Sequence, residues 1–169
     1  MENKEPSDIA EVRRAYAEKR AQLIAGTRLL IFGPGRNNNG YELREALRLE
    51  LEEGGCSPKF AEDILRLSNL ATAAAERILA EKFDLIFVLL AGVGPILEFG
   101  MFMVHDNIAR KFRVFQDSQY NESNSYVNEV LKLFCGNYRQ CFTFSSEREL
   151  RRYARESLDY YVLWKMTVS

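Results

Sequence analysis

The chain has one histidine, three cysteines and almost no net charge, and each scarcity removes a class of function. A zinc site needs three or four closely placed nitrogen or sulfur ligands. His105 stands alone and the cysteines Cys56, Cys135 and Cys141 share no metal-like spacing, so no metal is expected. The same single histidine lacks a nucleophile elbow, which removes a Ser-His-Asp hydrolase. An odd number of unclustered cysteines reads as reduced thiols in a cytoplasmic protein. Lysine plus arginine (23) nearly balances aspartate plus glutamate (24), so the basic surface of a sequence-independent nucleic-acid binder is missing. No apolar run approaches the roughly 20 residues that span a bilayer. The polar start, MENKEPSDIAEVRR, reads as neither a secretion signal nor a membrane anchor. No internal repeat is visible. What remains is an ordinary globular composition of 169 residues, expected to form one domain with a full hydrophobic core.

Apolar periodicity organises that domain. Residues 7 to 24 carry helix-spaced Ile9, Val12, Tyr16 and Leu23, so residues 1–26 read as a helical extension and 27–169 as the α/β domain. TRLLIFG (27–33) reads as a buried strand. YELREALRLELEEGG then places leucines 43, 47 and 51 on one helix face, ended by Gly54-Gly55. A weak strand is expected at 56–60 and a long helix through 62–81. DLIFVLLA is the strongest strand, and PILEFGMFMVHDNIA reads as a helix opened by proline. KFRVFQD and QCFTF are strands, with SNSYVNEVLKLF a helix between them. The final helix opens on SSERE, which resembles a capping arrangement. Five strands alternating with helices predict a three-layer Rossmann- or flavodoxin-like domain. Its sheet is expected to be mainly parallel, in the order 2-1-3-4-5. Ligands in such sheets sit beyond the carboxyl ends of the strands where the order reverses. That rule makes neighbours of the loops 33–40 and 91–95.

The first loop, GPGRNNNG, follows strand one. From Gly35 to Gly40 it has the glycine spacing of a P-loop, but Tyr41 and Glu42 stand where lysine and serine or threonine are needed. Asn38 occupies the third glycine position of a dinucleotide fingerprint. Neither an ATPase nor a standard dinucleotide site is supported, and no cofactor is expected. The loop reads equally as a glycine turn with a solvated arginine or as a cradle for a ribose or phosphate, with Gly33 beside it and Arg36 as the charged contact. The second loop lies within AGVGPILEFG (91–100), where Gly92 and Gly94 permit close backbone approach. Pro95 starts a helix and puts Glu98 near its first turn, where the helix dipole favours the ionised carboxylate. A carboxylate held there suits attack on a sugar carbon or support of an oxocarbenium-like transition state. It also suits a glutamate that only complements the helix end.

Gly94, Glu98 and Gly100 fit the spacing G-x-x-x-E-x-G. With Gly33-Pro34 after strand one and Asp84 opening strand three, the chain resembles the nucleoside 2-deoxyribosyltransferase family. The resemblance implies that Glu98 is a nucleophile acting on an N-glycosidic bond and that neighbouring subunits of a homo-oligomer complete the site. The same segment resembles the P-G-G-x-G-T-x-x-E run of lysine-decarboxylase-like phosphoribohydrolases, with Ala91 and Pro95 departing from it. More distantly, the element order is similar to TIR-type NAD-cleaving domains. The likeness covers about residues 27–120. It implies cleavage or transfer at the N-glycosidic bond of a nucleoside, nucleotide or NAD-like molecule, in families that include bacterial defence and toxin effectors. A catalytically inactive nucleotide-sensing or interaction domain is the alternative.

Other residues have weaker claims. Glu62 and Asp63 follow strand two at its carboxyl end and either could meet a ribose hydroxyl, although Asp63 also suits a helix cap. Asp117, with Ser118 and Tyr120, follows strand four at the same edge and reads either as a base or hydroxyl contact or as part of a polar turn. Asp84 begins its strand at the opposite end, a structural position. His105 reads as a partly buried structural residue. Arg148, Arg151, Arg152 and Arg155 read as a solvated stripe paired with Glu149 and Glu156.

Overall fold

The structure is a computed structural model that describes residues 7–65, 72–91, 99–100, 102–120, 126–138 and 140–168. Five strands form one sheet, β1 (Leu29–Phe32), β2 (Lys59–Phe60), β3 (Leu85–Leu90), β4 (Phe112–Asp117) and β5 (Cys141–Phe144), in the order β2-β1-β3-β4-β5. Every pair is parallel, as expected of strands joined through helices. The three central strands are buried at every residue, which is why they read as unbroken apolar runs rather than alternating ones.

Side-chain alternation divides the core in two. Leu29, Ile31, Phe87, Leu89 and Phe115 face one layer with Leu47, Leu51, Leu150 and Leu158. That layer is built by α1 (Ser7–Gly26), α2 (Tyr41–Glu53) and α7 (Glu147–Val168). Leu30, Phe32, Ile86, Val88 and Val114 face the other layer with Leu79, Ala80, Leu131 and Phe134. There lie α3 (Ala61–Leu65), α4 (Thr72–Lys82), α5 (Asp106–Ala109) and α6 (Tyr126–Tyr138). The three-layer architecture and the strand order are those the periodicity predicts. Asp84 accepts hydrogen bonds from the Arg28 backbone and guanidinium at the amino end of β3, the structural role its position implies. The SSERE start of α7 is capped, with Ser146 Oγ accepting from the Glu149 amide while the Glu149 carboxylate accepts from Ser145.

Several expectations need correction. Cys135 and Cys141 are joined by a disulfide, so only Cys56 is a free thiol, and burial pushes that thiol up to about 11. The physical reason is the return of the chain from α6 into β5, which sets the two Cα atoms 5.7 Å apart. The helix expected through 62–81 appears as α3 and α4, with residues 66–71 outside the described residues. The helix expected over 95–109 breaks before α5. His105 is extended (φ −104°, ψ 99°), its amide bonded to the Phe102 carbonyl, and half-buried as anticipated. The arginine stripe on α7 is not simply solvated. Arg151 and Arg155 both reach Glu50 on α2, a buried carboxylate, and thereby tie the two helices together. Arg152 does pair with Glu156.

Candidate functional site

The carboxyl edge of the sheet is where the order reverses, between β1 and β3. Gly40 closes the loop after β1 and caps α2 at φ 88°, a backbone state that favours glycine. A Cβ at Gly40 would lie 2.8 Å from Ala91 Cβ and 2.9 Å from the Ala91 carbonyl oxygen. Ala91 is the first residue after β3. The loop after β1 and the start of the segment after β3 therefore touch, and glycine is what allows the contact. Gly92, Gly94 and Glu98 lie outside the described residues.

The polar groups around this edge are bound to one another. Arg36 pairs with Asp63 at 3.2 Å, both side chains about half exposed. They share a surface cavity of about 300 Å³ with Glu45, Arg48 and Phe60. Asp117 is buried and accepts from the amide and the side chain of Gln119. Gln116 donates to Asn128 beneath it. The structure thus brings Arg36 and Asp63 together and places Asp117 on the same edge at the end of β4, on the other side of β3.

The residue that sequence reasoning missed is Arg44, 1% exposed. Its guanidinium donates to both Glu62 oxygens at 2.6 Å and to the carbonyls of Ile31 and Pro34. It also lies 4.1 Å from the centre of the Phe60 ring. One side chain thus binds the ends of β1 and β2 and the start of α3. Gly33 is part of the same arrangement, since a Cβ there would meet Arg44 Cδ at 3.0 Å and Leu89 Cβ at 3.2 Å. Glu62, a possible ribose contact by sequence, is engaged in neutralising Arg44. A signal existed: Arg44 shares the helix face of Leu47 and Leu51 at spacings of three and seven. Among the described residues, no group of three or more histidine, cysteine, aspartate or glutamate side chains could hold a metal ion. No described helix is long and apolar enough to cross a membrane.

Fold and edge together define a flavodoxin-like α/β domain whose two loops meet at the switch point. The chain belongs to the STM3845 retron effector protein family, whose model matches residues 42–152. No curated protein matches. Among solved structures, a diflavin flavoprotein from Nostoc sp. is similar at 11% identity, with a TM-score of 0.49 over 82% of this chain and 92% of that one.

Proposed function

We propose that this retron effector cleaves or transfers the N-glycosidic bond of a nucleoside, nucleotide or NAD-like molecule, with Glu98 as nucleophile or oxocarbenium stabiliser. The contact of Gly40 with Ala91 carries the reading. It supports a crevice at the switch point, and Glu98 follows Ala91 by seven residues in the sequence. The bond to the base breaks as the carboxylate attacks or supports the sugar carbon, and water or a second base completes the exchange. Arg36 and Asp63 would meet a phosphate or ribose at the rim, exchanging their exposed ion pair for ligand contacts at little cost. Gly92 and Gly94 admit the ligand, Gly33 with Arg36 holds the sugar or phosphate, and Asp117 orients a base or hydroxyl. An effector role fits such chemistry, because loss of a nucleotide pool would halt a cell.

The test is incubation with deoxynucleosides, nucleoside monophosphates and NAD, followed by chromatography for free base. Released base from the wild type, and none from Glu98→Gln at an unchanged melting temperature, is the expected outcome. The amide keeps the shape of the side chain but cannot attack as an anion. An active Gln variant would remove Glu98 from the chemistry.

One observation favours a second reading, in which the domain senses a nucleotide without consuming it. Arg36, Glu62, Asp63 and Asp117 each have a partner within the protein, so none of them stands free as a second catalytic group. Tight binding in calorimetry, with the ligand recovered intact, would establish that reading instead.

A further inference from the structure

The amino edge of the sheet, opposite the switch point, contains buried polar groups that the fold satisfies only in part. Arg113 is 8% exposed and sits second in β4, in the register that Phe115 fills with an aromatic ring. Its guanidinium donates to the Phe112 carbonyl. Among the described residues no carboxylate pairs with it. Burial without a counter-ion brings it down to about 10, far below an ordinary arginine. Ser157 on α7 is 3% exposed, and its Oγ has no hydrogen-bond partner. Gln140 Oε1, just before β5, is buried and equally unpartnered. Buried polar groups are nearly always satisfied, so two unmet ones beside an arginine without a counter-ion call for a ligand or water.

All three line one cleft of about 400 Å³, walled by Phe142, Tyr138 and Tyr160. Arg113, Gln140 and Tyr160 also line an adjoining cavity of about 520 Å³, whose walls carry five cationic side chains against two carboxylates. The carboxylates nearby are engaged. Asp84 is held by Arg28, and Glu156 at the rim faces Arg152. Both volumes fall in the roughly 300–1,000 Å³ range of small-molecule sites.

We infer that this cleft is a second binding site, distinct from the switch point, for a small hydroxylated oxyanion of the sugar-phosphate or sugar-acid class. The oxyanion would sit on Arg113 and satisfy its charge. A ligand hydroxyl would donate to Gln140 Oε1, and Ser157 would bond to either group. The apolar face of a sugar ring would lie against Tyr160, whose ring is largely exposed. The inference does not depend on glycosidic chemistry, because its ligand carries no base.

The test is amide NMR of the full chain titrated with ribose 5-phosphate, ribonate and ribose. One or both anions should shift the signals around Gln140, Ser157 and Tyr160 saturably, and ribose should not. A stronger response to one anion identifies phosphate or carboxylate as the source. Arg113→Met keeps the stem but removes the charge. It should weaken binding by about tenfold or more, with a melting temperature at or above wild type. Ser157→Ala should weaken it by a smaller factor. The proposal is overturned if neither anion shifts these signals, if shifts fall at Arg36 and Asp63 instead, or if Arg113→Met binds as well as wild type.

Discussion

Two buried arginines stand at opposite edges of one sheet, and the fold treats them differently. Arg44 has a bidentate carboxylate, two carbonyls and an aromatic face. Arg113 donates to one carbonyl, that of its own neighbour in sequence. A desolvated charge is tolerated when its surroundings replace the water it lost. At Arg44 that replacement is complete apart from Nε, and the residue works as a structural clamp. At Arg113 it is incomplete within the protein, the condition expected of a group whose partner arrives from outside.

The comparison breaks first at Arg44. Arg44→Met should cost about 3 kcal/mol, because it strands two buried carbonyls and removes the partner of the partly exposed Glu62 carboxylate. Chemical denaturation would measure the loss, and a cost below about 1 kcal/mol would show that the clamp is not structural. Arg113→Met should be neutral or stabilising by about 1 kcal/mol in the same assay, since an uncompensated charge is removed.

Gly33→Ala sharpens the same contrast. The new methyl would press on Arg44 Cδ at 3.0 Å, and that stem cannot swing aside while its far end is held by Glu62. A loss of roughly 1–3 kcal/mol is expected, largely relieved when Arg44→Met is also present. Additive losses in the double variant would place the strain at Leu89 instead.

The smallest effect should come from Glu76, a buried carboxyl on α4 whose burial raises its pKa above the usual carboxylate range. The native state then holds its proton to higher pH than the unfolded chain does. Its contribution to stability is full below the unfolded pKa and is lost as pH rises through the folded one. Glu76→Gln should therefore be more stable than wild type at neutral pH, by under about 1 kcal/mol. The difference should vanish near about pH 4. Melting curves across that range would check it. A gap that widens on acidification would reverse the assignment.

The fold was largely legible, because covered parallel strands read as continuous apolar runs and the turns between elements are rich in glycine and asparagine. What misled was continuity. Met103 and Val104 carry the apolar pattern through the break at His105, so one helix was expected where the chain turns. The thiols Cys135 and Cys141 lie on different elements, and only the tight return from α6 to β5 brings them together. Contact of the two loops at the switch point followed from strand order alone. The buried charges did not. Arg44 and Glu76 sit among helix-forming residues, and Arg113 interrupts an apolar strand by a single position. Their burial depends on helix phase and sheet register, which composition does not display.

The strand order also governs when the Gly40–Ala91 contact can exist. In the β1–β3 pair, Leu30 meets Ile86 across the longest stretch of chain that any strand pair in this sheet spans. Parallel pairing of this kind cannot start from a local hairpin, and closing long loops slows assembly. During synthesis β1 and β2 emerge early, but the junction that brings Gly40 against Ala91 must wait until β3 has left the ribosome. A nascent chain therefore carries the first loop for some time without the surface it rests on. The switch-point edge forms only once the first half of the chain has been made.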